Sequence, residues 1–307
     1  MKDILIGMLT TYFDMVKDGI KLDLVGEILD KGTLSTSSNI VGDLYNLISG
    51  LAIGLTIIYF CYEANSKWAF EGNDISPKSL AGPFLKLIMA VIIIENCQDW
   101  LDIAWSSFKA QFGTFYSSSD AVAIASIADS KVAATNIIQS LGIIRQVGFL
   151  IPLLILWGAS TIVTLLFTYK AILFKIEFAY RIGVSPLAMA DAYNGMSSSS
   201  VRWFKGMIGF MLYGCAFVAV PKLAASIIDS ARIFTYYDAA GSAVTGTLKQ
   251  AVEQTVSQFD DKVTAKNYLK NAGLIDMVIS FMPALLIPIA SLGVLGAIQQ
   301  VCREAAS

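Results

Sequence analysis

The chain has 307 residues, 55% of them hydrophobic and 15% charged, where a soluble globular domain carries roughly 25% charged residues. One water-soluble core cannot hide that much apolar side chain, so composition points to an all-α, polytopic membrane protein. A net charge of −2 gives no sign of a phosphate-neutralising nucleic-acid binder, and the absence of histidine excludes His-based zinc sites and Ser-His catalysis.

Residues 1–43 open on MKDILIGMLTTYFDMVKDG. Asp3, Asp14 and Lys17 interrupt any signal-peptide core. Leu5, Met8, Leu9, Tyr12 and Val16 recur at helical spacing, which predicts an amphipathic helix lying on the membrane interface or on a partner. Residues 44–94 hold the first two of about five transmembrane helices. Leu44 to Tyr62 is uncharged and, at 1.5 Å per residue, just covers a hydrocarbon core of about 30 Å. Ser79 to Ile94 is shorter, contains Lys86, and has Pro77 and Pro83 near its start, where helices tolerate proline.

Residues 95–145 read as an extracytoplasmic helical segment with a Ser/Ala-rich stretch from Ser117 to Ser140, and 146–169 as the third span. Residues 170–205 are too charged to cross. They carry Lys170, Lys175, Arg181, Arg202 and Lys205 against Glu177 and Asp191, and are assigned to the cytoplasm as an amphipathic or hairpin segment, either a docking surface or a re-entrant element. The fourth span, 206–228, must pass Pro221 and Lys222, whose ammonium can snorkel. An extracytoplasmic helical loop, 229–276, precedes the fifth span and short tail, 277–307, kinked if Pro283 and Pro288 lie mid-helix. No strand-like alternation and no internal repeat stand out. The outer segments hold more Lys and Arg in total, but they are long and translocate regardless of charge. The short inner segments therefore decide the orientation: N-terminus outside, C-terminus inside.

Four kinds of candidate residue emerge. Gly50 and Gly54 in the first span, and Gly293 and Ala297 in the fifth, form small-xxx-small pairs that let helix backbones approach closely. Lys86 is the polar oddity, because a charge at the centre of a span costs roughly 2.5–3.5 kcal/mol on insertion scales. It lines a lumen, with Glu95 and Asp99 continuing on an acidic face beside Asp102, or it sits at a headgroup. Glu177, Arg181, Pro186, Asp191, Arg202 and Trp203 are the candidate docking residues of the inner segment. Glu177 and Arg181 form a favourable i,i+4 pair, four serines at 197–200 offer helix caps, and Arg202 and Trp203 anchor the next span. Cys61, Cys97, Cys215 and Cys302 lie in or at the ends of apolar runs and read as small buried hydrophobes. No P-loop, nucleophile elbow or dinucleotide fingerprint is present, so neither catalysis nor a cofactor is expected.

The inner segment resembles the TrbL-type polytopic subunit of type IV secretion and conjugation systems, the family that includes the sixth VirB protein. The resemblance lies in a charged helix leading to Ser185, Pro186, Leu187 and Ala188, then a polar turn, then Arg202 and Trp203 opening a span. It extends loosely over all five spans. It implies a bacterial inner-membrane channel component that forms a homo-oligomer, a fivefold ring, with a secretion ATPase and small membrane subunits as partners and translocated single-stranded DNA as a transient contact. The chain departs from many members in its short sequence after Arg303, so roles of C-terminal extensions are not carried over. A stand-alone solute transporter or a pore-forming protein of a mobile element are the alternatives.

Overall fold

Helix dominates because the apolar runs are long, carry few charges, and contain prolines only where a helix can absorb them. The computed structural model describes residues 2–18, 39–71, 77–116, 127–195, 199–238 and 240–306. Part of the Ser/Ala-rich stretch, and Ser197 and Ser198 of the four serines, lie outside them. The helices are α1 (Lys2–Asp18), α2 (Asn39–Glu71), α3 (Pro77–Tyr116), α4 (Ser130–Ser140), α5 (Ile143–Gly183), α6 (Ser185–Met189), α7 (Ser199–Ser230), α8 (Leu248–Ser257), α9 (Lys262–Asn271), α10 (Gly273–Phe281) and α11 (Leu286–Ala306). Among the described residues, four stretches are long and apolar enough to cross a membrane: Val41–Phe70, Lys78–Phe108, Ile143–Gly183 and Gly273–Cys302. The two parts of α7 make a fifth if counted as one span. This is the all-α architecture of a polytopic membrane protein with four to five spans.

Two of these helices outrun a bilayer. At 40 and 41 residues, α3 and α5 are each about 60 Å long. The charged stretches that follow Ile94 and Tyr169 therefore continue the helices that cross, because no break residue intervenes.

The contacts divide the chain into two compact units, one of residues 1–26, 115–170 and 216–297, the other of residues 27–114, 171–215 and 298–307. In the first unit, α1 buries Leu5, Leu9, Tyr12, Phe13 and Val16, packing on α4 of the same chain. The predicted face is there, shifted to include Phe13, while Met8 stays half-buried. Phe13 meets Phe281 edge-on with centroids 5.3 Å apart, and the buried Tyr12 hydroxyl donates to the Phe281 carbonyl. That carbonyl sits where α10 gives way to the 3-10 turn Met282–Leu285 at Pro283, a place where helical carbonyls lose their amide donors.

Caps fix the small helices of this unit. Asp129 accepts from the amides of Lys131 and Val132 at the start of α4. Thr247 and Gln250 form a capping box on α8, and Asp261 caps α9. Buried Gln146 donates to the carbonyls of Ile138 and Leu141 at 2.9 and 2.8 Å, tying α5 to the end of α4. An antiparallel hairpin, β1 (Phe234–Tyr237) with β2 (Ala243–Gly246), corrects the expectation that no strand is present. Its strands are too short for alternation to stand out, and its turn is set locally. The amides of Ala240 and Ser242 donate to the Asp238 carboxylate at 2.9 and 2.8 Å, and Gly241 takes φ +82, where a side chain would press on the Asn271 carbonyl.

In the second unit, α2 and α3 form a hairpin. The Tyr45 hydroxyl donates to the Ile94 carbonyl and accepts from the Gln98 amide at 3.4 Å. Pro83, inside α3, cannot donate to the Ser79 carbonyl, and Lys67 of α2 supplies the donor instead at 3.1 Å. Further along α3, Trp105 packs on Phe178 of α5 at 5.0 Å, and Phe174 stacks on Phe210 of α7 at 4.6 Å.

The Tyr12 contact generates a test. Tyr12→Phe keeps the ring and removes the donor, and should lower the stability of the detergent-solubilised chain by about 1–2 kcal/mol. Phe13→Ala should cost more, about 3–5 kcal/mol. Thermal unfolding followed by circular dichroism checks both, and an unchanged Tyr12→Phe would show that this hydrogen bond does not hold α1.

Candidate functional site

The chain between α5 and α7 builds the most organised irregular element of the second unit. It begins at Gly183, where a Cβ would lie 2.7 Å from Leu44 Cδ2. A larger residue there would have to push the Leu44 side chain aside. Ser185 is fully buried and donates to the Ile182 carbonyl at 2.7 Å, Pro186 occupies the first turn of α6, and a 3-10 turn, Ala190–Asn194, follows. Gly195 then takes φ +87. The segment doubles back, so that Ser200 donates to the Ala188 carbonyl at 2.7 Å, and the amide and hydroxyl of Ser199 both donate to Asp191 at 2.7 Å.

Asp191 thus caps α7 from eight residues upstream, satisfying one of its orphan first-turn amides. The Ser199 hydroxyl, helped by Asn194 and the nearby Arg202 charge, holds its carboxyl below the usual carboxylate range.

This element lies along α2. Gly183 meets Leu44 at one end, and Tyr193 stacks on Tyr59 at the other, with centroids 6.4 Å apart. Those two α2 residues are about 22 Å apart along the helix and bracket most of its apolar run. Buried Pro186, Met189, Ala190 and Tyr193 make it a packed piece of the helical core, as non-helical backbone beside a spanning helix must be.

At the Tyr193 end sits a charge cluster. Lys86 of α3 donates to both carboxylate oxygens of Glu63 of α2 at 3.1 and 3.2 Å, and its ammonium lies 5.5 Å from the centroid of the Tyr193 ring. Lys67 approaches the same carboxylate at 3.9 Å. Glu63 is the residue that bounds the first apolar run, so Lys86 is paired at the edge of that run. The arrangement puts two lysines on one carboxylate and joins α2, α3 and the 183–199 segment at one place.

The other predicted residues separate. Glu95 and Asp99 are exposed, while Asp102 turns inward with one buried carboxylate oxygen that has no hydrogen-bond partner. Lys86 pairs with Glu63, a residue that fell outside the predicted set. Glu177 and Arg181 pair at 2.7 Å, and the Arg181 guanidinium stacks 4.7 Å from the Phe210 ring centroid. Trp203 is half-buried and Arg202 exposed. Sequence reasoning missed Glu63, Tyr59 and Tyr193. The usable signal was the short connection between the first two spans, which brings residues about equally far from it to one level.

A Cβ added at Gly50, Gly54 or Gly293 would meet nothing within 4 Å, and Ala297 is exposed. Neither small-residue pair has another helix of the chain resting on it among the described residues.

No protein-family model matches this chain, nor does any curated protein or solved structure. The resemblance to the TrbL-type subunits therefore rests on the residue pattern alone.

The ion pair makes a measurable claim. Glu63→Gln leaves Lys86 without its carboxylate and Lys86→Met leaves Glu63 with Lys67 alone, whereas the double substitution removes both partners. The double variant should be more stable than the sum of the two single losses predicts, by about 1 kcal/mol or more. Thermal midpoints of the four proteins in one detergent give the coupling, and strictly additive losses would dissolve the pair.

Proposed function

We propose that this chain is a non-enzymatic structural and channel subunit of a conjugative type IV secretion apparatus, assembling as a homo-oligomer in a bacterial inner membrane. The observation that carries the reading concerns the segment with the TrbL-like pattern. Ser185, Pro186, Met189, Ala190 and Tyr193 are buried there, and the segment is clamped between α2 and α7 by the contacts just described. A family-like pattern that coincides with a packed, re-entrant element supports a shared architecture, because such backbone persists only where packing demands it.

Two further features support an assembly. The Gly50/Gly54 and Gly293/Ala297 faces accept a close neighbour, and among the described residues a Cβ at Gly50, Gly54 or Gly293 meets none. Long apolar helices also present large exposed side chains, such as Leu47 and Leu51 on α2, to lipid or to a second copy. On this reading a secretion ATPase and small membrane subunits are partners and translocated single-stranded DNA is a passing contact. A solute transporter acting alone is the second reading, favoured by the Glu63–Lys86 pair, since ionisable groups between spans often mark substrate paths. Uptake by proteoliposomes containing only this protein would favour that second reading.

In its conjugative host, Gly54→Leu should reduce oligomers on native gels and lower transfer frequency at least about tenfold, the equivalent of 1.4 kcal/mol, with the protein level unchanged. The open space around Gly54 accommodates the side chain within one copy. Normal transfer in a deletion strain would sink the proposal, and normal oligomers in Gly54→Leu would remove this face from it.

For orientation, the positive balance of the short segments supports an outside N-terminus and an inside C-terminus. In a cysteine-free background, an impermeant thiol reagent added to intact cells should modify Ser257→Cys and spare Ser198→Cys. The opposite pattern reverses the topology.

A further inference from the structure

The second unit contains a cleft of about 600 Å³, within the range of roughly 300–1,000 Å³ that small-molecule sites occupy. Ile93, Cys97 and Trp100 of α3, Met189 of α6, and Val201 and Phe204 of α7 give it apolar walls. Lys205 is the single charged residue in the described lining. It is exposed and has no hydrogen bond or ion pair among the described residues. The Ser200 hydroxyl, also at the wall, donates its proton to the Ala188 carbonyl.

The lining therefore offers an apolar slot and one uncompensated cation, with little to solvate a polar ligand. A matching molecule has a long hydrocarbon part and a single net negative charge. The surroundings supply it. On the same helix as Ile93, the side chains of Ile88, Met89 and Ile92 are exposed on a stretch that is apolar enough to face lipid. Trp100 is also exposed, with the amphipathic ring that favours the headgroup level.

We propose that this cleft is a specific site for an anionic phospholipid of the phosphatidylglycerol type, with an acyl chain between α3 and α7 and the phosphate on the Lys205 ammonium. A long Lys stem lies along an apolar wall while its head reaches a headgroup phosphate, the geometry of a snorkelling side chain. A zwitterionic lipid brings its own cation to the same place and gains less from Lys205. The bound lipid touches both arms of the re-entrant segment, so it ties that segment to α3.

The full chain in detergent, titrated with brominated phosphatidylglycerol or brominated phosphatidylcholine, tests this through tryptophan quenching. Phosphatidylglycerol should quench at lower concentration, and Trp100→Phe should remove the quenched component. Lys205→Gln should raise the half-quenching concentration for phosphatidylglycerol about tenfold, the loss of one charge-assisted contact, and leave phosphatidylcholine unchanged. Ala192→Phe, which fills the cleft from its 3-10 turn, should abolish the component while circular dichroism stays native. Equal quenching by the two lipids, an unchanged Lys205→Gln titration, or quenching that survives Trp100→Phe would each overturn the site. Absence of quenching by either lipid would overturn it too and leave the cleft to an apolar peptide.

Discussion

A backbone carbonyl that loses its helical amide inside an apolar environment has no water to turn to, and the organisation of this protein follows from how such carbonyls are served. At several places a side-chain donor from another element serves such a carbonyl. Lys67 reaches across the α2–α3 hairpin to Ser79 below Pro83. Tyr45 inserts its hydroxyl at Ile94, Tyr12 of the amphipathic first helix serves Phe281 beside Pro283, and Ser200 closes the 183–199 segment on Ala188. Each donor sits on a different helix from its acceptor, and Tyr45 and Tyr12 come from distant parts of the sequence. They therefore specify which helices must be neighbours, whereas apolar contact alone would accept many partners.

The same logic separates the two units in character. The first unit is built like a small soluble domain attached to spanning helices, with capped short helices, a β-hairpin and an aromatic centre around Phe13, Phe259, Tyr268 and Phe281. Its buried Tyr268 phenol is pushed up to about 12 by desolvation, the signature of a dry core. The second unit is built from long helices with much exposed apolar surface, and several of its polar contacts, from Ser185 to Ser200, lie at the 183–199 turn region.

How much of this was legible in the sequence depends on the range of the signal. Helix existence and the buried face of α1 were readable, because both are written in residues three and four apart. The ends of α3 and α5 were not, since charge marked a boundary at Glu95 and at Lys170 where the helices simply continue. The β-hairpin escaped because its cause is one Asp238 turn and not alternation. Glu63 was read as the residue bounding a span, and its tie to Lys86 depends on a tertiary contact between two helices that periodicity within either one cannot report. Gly183 carries no local signal for its place, since the side chain it approaches is Leu44, more than a hundred residues earlier. Small-residue pairs were legible as faces, but which neighbour they meet is a property of an assembly and not of one chain.

The Glu63–Lys86 pair also bears on how the protein is made. Glu63 leaves the ribosome before Lys86 exists, and its neighbouring cation at that moment is Lys67, one turn further along the same helix. The closer, two-oxygen contact arrives only when the second helix packs against the first. A span that carries a lysine is costly to insert by itself, and a carboxylate already in place at its level on the preceding helix lowers that cost.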